Sequence, residues 1–165
     1  MCGYDDLIKK TGLFLSGRDL TIATAESCTG GLIGHLLTSI PGSSLYYLGG
    51  IISYNNTIKT EILGVAEIIL TRFGAVSHEC VKQMAIGAKD LMRSNIALAV
   101  SGIAGPGGGS ADKPVGTVFF ALADERSVRS VKKFFNGDRS FIKYKSAETA
   151  LELICKTVEG ETIFE

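Results

Sequence analysis

The sequence predicts an α/β fold in which helices cover a layered sheet, and three observations predict it. Short apolar, β-branched runs alternate with segments whose apolar residues recur at three- and four-residue steps, the pattern of strands separated by helices. The last two extended runs follow one another with no helical segment between them, which adds an antiparallel pair to the sheet. The 165 residues include 45% hydrophobic ones, enough for one domain with a real core and too few for a multidomain enzyme.

Residues 4–16 set Leu7, Ile8, Leu13, Phe14 and Leu15 among Lys and Asp, an amphipathic first helix. TIATA at 21–25 reads as a strand, and ESCTGG turns it into a helix over GLIGHLLTSI. LYYLGGIISY at 45–54 is a second extended segment, followed by a short helix within NTIKTEILGV. EIILTRF at 67–73 and residues 77–94 are further helices, the latter with Val81, Met84, Ala85, Ala88, Leu91 and Met92 in helical register. IALAVSG, VGTVFFALA and VRSVKKFF supply three later strands, and 138–158 closes the chain as a helix.

The 17 basic and 17 acidic residues cancel, so no long-range field collects nucleic acid or an anionic membrane, and neither partner is expected. No apolar run approaches the roughly 20 residues that span a bilayer, and the N-terminus lacks the basic and apolar regions of a signal peptide; a cytoplasmic protein is expected. Cys2, Cys28, Cys80 and Cys155 form no C-x-x-C pair and read as core thiols in a reducing compartment. The dispersed carboxylates and histidines have no ligand spacing, so no metal and no cofactor is expected.

Glycine is the compositional anomaly: 20 are present, against roughly 12 at ordinary usage. Gly30 and Gly31 follow the first strand, and six more lie in SGIAGPGGGSADKPVG at 101–116. Both clusters therefore sit at strand C-terminal ends, where open α/β sheets hold ligands and where exposed amides can bind an anion. The second cluster reads equally well as a surface loop. It is neither a Walker loop nor a dinucleotide loop, since no Gly-Lys-Ser/Thr occurs and position 110, where the third glycine belongs, is Ser.

A hydrolytic triad needs a histidine, and only His35 and His78 are available, both placed in early helical turns where an exposed or capping role is the default. The G-x-S-x-G elbow is absent around Ser27. A desolvated lysine is the remaining base; Lys59, just past the second strand, is a candidate, and nearby Tyr54 could relay a proton. On these residues alone, a solvated lysine is the commoner outcome.

The strings TAESCTGG (24–31), GSSLYYLGGIISYNNTIK (42–59), GAVSHECVKQMA (74–85) and SGIAGPGGGSADKPVGTV (101–118) together resemble the CinA C-terminal domain family, in order and with little insertion over residues 5–158. The resemblance implies a three-layer α/β/α sandwich around a mixed five-stranded sheet. Stand-alone members include nicotinamide-nucleotide amidases, which convert nicotinamide mononucleotide to nicotinate mononucleotide and ammonia. The longer members add an N-terminal pyrophosphatase domain, for which 165 residues leave no room, so that second activity is expected to be absent.

The resemblance places a catalytic serine on Ser27, a tyrosine on Tyr54 and a lysine on Lys59. Lys59, with Tyr54 in the relay, would take the Ser27 proton, and amides near Thr29, Gly30 and Gly31 would hold the oxyanion. The substrate's 5′-phosphate is assigned to Gly105, Gly108, Gly109 and Ser110 together with Arg139; the alternative for Arg139 is a surface charge in the basic stretch 126–145. Cys28 is expected to pack beneath the turn. Gly107 departs from the Asp or Thr that the family's loop often carries, which puts loop geometry and substrate choice in doubt. A non-catalytic nucleotide- or partner-binding module, or an amidase for another small amide, remains as an alternative, and a homodimer is possible.

Overall fold

The computed structural model describes residues 2–160. Five strands, β1 (Ile22–Glu26), β2 (Tyr47–Ile52), β3 (Ile96–Gly102), β4 (Thr117–Ala123) and β5 (Val128–Phe134), form one sheet in the order β2-β1-β3-β4-β5. β1 runs parallel to both β2 and β3, while β4 is antiparallel to β3 and to β5. The connections explain the directions. Helices fill the crossovers β1 to β2 and β2 to β3, as parallel neighbours require; β4 and β5 are joined by a tight turn in which the Asp124 carboxylate accepts from the amides of Arg126 and Ser127 at 2.7 and 2.8 Å.

The period-2 alternation sorts the strands' side chains by size. Ile22, Ile96, Leu98, Val100, Val118, Phe120 and Leu122 face one side, where α1 (Cys2–Ser16), α2 (Leu32–Thr38) and α6 (Arg139–Glu159) cover them. Ala23, Ala25, Ala97, Ala99, Ala121 and Ala123, joined by Phe119, face the other side under α5 (His78–Met92). The small face lets α5 lie close against the sheet. On its flank α5 is crowded too, at Gly87, where an added Cβ would stand 1.9 Å from the carbonyl oxygen of Leu63 in the segment that leads from Glu61 to Glu67. Two helical layers around one mixed sheet make the three-layer α/β/α sandwich.

Two short helices, α3 (Asn56–Glu61) and α4 (Glu67–Phe73), precede α5. The Asn55 side chain caps α3 by accepting from Thr57 N at 2.9 Å, and the helix stops at Glu61, short of the reading through Val65, because Gly64 turns with φ +68° and Leu63 and Val65 enter the core. The predicted 31–40 helix shortens to α2, since Gly31 has a left-handed φ of +96°. The extended run 45–54 likewise narrows to β2, after a 3₁₀ turn at 43–45.

Cys28, Cys80 and Cys155 are free and buried, as the composition implied, and Thr11 Oγ1 meets Cys155 Sγ at 3.1 Å between α1 and α6. The Cys2 side chain lies outside the described residues. Among the described residues no helix is long and apolar enough to cross a membrane.

Candidate active site

Position along β1 determines what each residue of A-E-S-C-T-G-G does. Alternation puts Ile22, Thr24 and Glu26 on the α2 side of the sheet, so the Glu26 carboxylate points at the start of that helix. There it accepts from Thr29 Oγ1 (2.7 Å), Gly31 N (3.0 Å), Ile33 N (3.1 Å) and Gly34 N (2.8 Å) while fully buried. Glu26 thus satisfies the amides at the start of α2 from outside the helix. Ser27 comes next, its own amide bonded to Val100 O of β3 at 3.0 Å, which pins it in the crevice between the C-terminal ends of β1 and β3.

Lys59 reaches that crevice from α3. Its side chain is only 1% exposed, the largest of the fully buried ones, and Nζ donates to Ser53 O at 2.5 Å and to Ser27 Oγ at 3.3 Å. Ser53 is held in turn, its amide bonded to Glu26 O at 2.8 Å. Among the described residues no carboxylate pairs with Lys59, and burial drives the amine below its ordinary pKa of 10.5, opposed by Cys80 and Cys28. Burial pushes the Cys28 thiol up to about 12 and the Cys80 thiol to about 11, so both remain protonated beside the amine. The result is a neutral-prone lysine in direct contact with a serine hydroxyl, at the floor of a cavity of about 210 Å³ that Asn56, Ser101 and Arg139 help to line.

Tyr54 stands at the rim of this cavity, 62% exposed, and its hydroxyl accepts from Arg139 Nη2 at 3.0 Å. The structure brings Tyr54 into the same cavity as Ser27 and Lys59, where Lys59 meets Ser27 directly and the phenol is engaged by Arg139. Arg139 Nη1 also donates to Gly105 O at 2.7 Å, so the first residue of α6 ties the end of β2 to the loop after β3. Arg139 is exposed and at the same time lines the Ser27 cavity.

The oxyanion assignment to Gly30 and Gly31 changes. Gly30 N donates to Ser27 O at 3.1 Å and Gly31 N to Glu26, so both amides are already used, and the Thr29 hydroxyl is too. Among the described residues the Thr29 amide has no backbone acceptor, and the Cys28 amide faces its own Sγ. Sequence reasoning missed Glu26; the signal was present in a carboxylate lying in register with the buried Ile22 and Thr24.

The second glycine cluster is a closed surface turn. Ser110 N donates to Lys113 O at 2.9 Å, Ser110 Oγ accepts from Lys113 N at 3.1 Å, and Lys113 Nζ latches the turn to Phe73 O at 2.7 Å. Gly108, Gly109 and Ser110 are exposed and do not line the Ser27 cavity, and the Gly105 carbonyl accepts from Arg139 at its edge. A side chain at Gly107 would enter open space, so the departure there removes no packing. His35 is exposed on α2, and His78 is held elsewhere, Nδ1 to Ser130 Oγ at 2.9 Å with its ring edge-on to Phe119. Among the described residues no cluster of three His, Cys, Asp or Glu has metal-ligand geometry.

Glu26→Ala is expected to destabilise the fold by about 2–4 kcal/mol, because it strands several buried amides at once. Urea unfolding midpoints of the two proteins measure this. A difference under about 1 kcal/mol would show that water replaces the carboxylate there.

The CinA C-terminal domain model matches residues 5–158. A CinA-like protein of Thermotoga maritima is 44% identical over 146 residues, covering 88% of this chain and 36% of that protein. One from Geotalea uraniireducens is 49% identical over 136 residues, covering 82% and 32%. The chain thus spans about a third of the length of these relatives. The solved competence/damage inducible protein of Agrobacterium tumefaciens superposes with a TM-score of 0.90 at 41% identity, over 94% of this chain and 95% of that one. The competence damage-inducible protein A of Klebsiella pneumoniae gives 0.91 at 31%, over 94% and 97%. With sequence match and architecture agreeing over nearly its whole length, the chain belongs to the CinA C-terminal domain family.

Proposed function

We propose that the protein is a metal-independent amidase that hydrolyses the carboxamide of nicotinamide mononucleotide. The observation that carries this reading is the contact of 3.3 Å between Ser27 Oγ and a buried Lys59 Nζ that has no acidic partner among the described residues. A serine hydroxyl is a weak nucleophile until a base takes its proton, and a lysine can serve as that base only when desolvation lowers its pKa. Lys59 meets this condition through burial.

Lys59 Nζ accepts the Ser27 proton as Oγ bonds to the carboxamide carbon. The tetrahedral oxyanion lies against the Thr29 amide, which has no backbone acceptor among the described residues, with the Cys28 amide beside it. Lys59 returns the proton to the leaving nitrogen, the C–N bond breaks and ammonia departs. Water, deprotonated by the same amine, then attacks the Ser27 ester, giving the carboxylate product and free serine. The cavity's modest size suits a single ring bearing a carboxamide.

Purified protein is expected to release ammonia from nicotinamide mononucleotide faster than from nicotinamide riboside or nicotinamide, with or without EDTA. Release from another small amide alone would keep the chemistry and replace the substrate. No release from any amide by folded protein would leave the family's non-catalytic reading in its place.

A further inference from the structure

Among the described residues Glu26 is the only buried carboxylate, and no step of the hydrolysis uses it. None of the ion pairs among those residues includes it, so its charge is held by donors alone, the Thr29 hydroxyl and the amides of Gly31, Ile33 and Gly34. A buried anion carries a desolvation cost that an exposed helix cap does not. Elsewhere the chain uses the exposed kind: α3, α5 and α6 begin at Asn55, Ser77 and Asp138, whose own side chains cap them. At the start of α2 that place is taken by Gly31, which has no side chain to offer.

What Glu26 does beyond capping follows from where its four donors lie. Thr29 precedes Gly30, Gly31 is itself a donor, and Ile33 and Gly34 follow; both glycines are left-handed, with φ of +64° and +96°. Two successive glycines permit the turn without stiffening it. A single carboxylate bonded before and after the pair supplies the stiffness, and it fixes Thr29, whose amide is the donor assigned to the oxyanion.

The main chain of Glu26 holds the other half of the site. Its backbone lies between Ile52 of β2 and Val100 of β3. Its carbonyl accepts from Ser53 N at 2.8 Å, and Ser53 O in turn accepts from Lys59 Nζ. Base and oxyanion donor are thus both referenced to the residue immediately before the nucleophile. We infer that Glu26 is a positioning residue for the hydrolysis: its carboxylate clamps the Gly30–Gly31 turn and so keeps the Thr29 amide in place beside Ser27. The effect on amide turnover rests on the amidase reading; the clamp on the nucleophile turn does not.

Glu26→Gln keeps the size of the side chain but replaces one acceptor oxygen with an NH2 group that faces donors. At a temperature where both proteins are folded, kcat for nicotinamide mononucleotide is expected to fall about 100-fold while KM stays within about threefold. The pH at which kcat/KM rises should not move, because the groups that shift the Lys59 amine are burial, Cys80 and Cys28. Thr29→Val removes only the hydroxyl and is expected to cost about tenfold in kcat, and Thr29→Ser to return it to within about threefold of the parent. That pair decides the matter alone if Glu26→Gln does not fold. The rate at which a fluorophosphonate labels Ser27, followed by intact mass, reads the same clamp without an amide and should fall in the same order across the variants. If labelling depends on Glu26 and Thr29 in this way but no amide is hydrolysed, the amidase reading fails and the clamp stands. Folded Glu26→Gln within about threefold of the parent in both rates, a Thr29→Ser no better than Thr29→Val, or a loss accompanied by a displaced pH profile would each overturn the clamp. A folded parent protein that neither hydrolyses an amide nor is labelled at Ser27 would overturn both.

Discussion

Ser27→Ala is expected to lower kcat by at least about 10⁴-fold while leaving the fold intact, since the hydroxyl is the group that bonds to the substrate. The informative comparison is the adjacent residue. Cys28→Ala should stay within about tenfold of the parent enzyme, because a thiol pushed up to about 12 holds only about 10⁻⁵ of its population as thiolate at neutral pH. Its contribution is packing among Ile33, Ile142 and their neighbours in the core. Mass spectrometry of the protein quenched during turnover reads the same question from the other side, with the acyl group expected on the peptide's serine. An inactive Cys28→Ala beside an active Ser27→Ala would transfer the nucleophile to sulfur.

Lys59→Arg is expected to cost about 10³-fold or more in kcat/KM, because guanidinium does not give up its proton near neutrality. The pH profile supplies the sign. The neutral amine is the active form, so kcat/KM should rise with pH through the lowered pKa of Lys59 and level above it. A profile flat across that range would remove lysine as the base. Stability moves in the same direction. Between the lowered folded pKa and the ordinary 10.5, the unfolded chain holds the proton more often than the folded one, so stability increases as pH rises through that window. Below the folded pKa the full cost of burying the ammonium is present. Lys59→Met should abolish this slope in urea unfolding measured at several pH values, even though it also leaves Ser53 O without its donor.

Much of the fold was legible because periodicity reports burial. IALAV and VFFALA are apolar throughout and became β3 and β4, buried on both faces, while the 77–94 pattern became α5. Strand order was not legible, since no local signal says that β1 lies between β2 and β3. At the site, Ser27 and Lys59 could be named from their strings, but their contact depends on α3 folding back over the end of β1, which is a property of the tertiary structure. The glycines were over-read for the same reason. Their left-handed torsions permit the turn, whereas the destination of each amide depends on what stands opposite: Glu26 for Gly31 and the Ser27 carbonyl for Gly30. Tyr54 and Arg139 are far apart in sequence and meet only because α6 begins above the end of β2.

The unequal faces of the sheet bear on how such a chain can drift. Leucine, isoleucine and phenylalanine beneath α1, α2 and α6 can exchange volume with one another, so substitutions there have many compensated routes. On the alanine face the strands themselves have little volume to surrender, and Gly87 on α5 already sits against the Leu63 carbonyl, so an enlarged strand side chain there presses on α5 itself. That helix begins just beyond Ala75 and Val76, which wall the Ser27 cavity. Divergence among related chains should therefore accumulate on one side of the sheet, while the other side keeps a record of the spacing that the reaction needs.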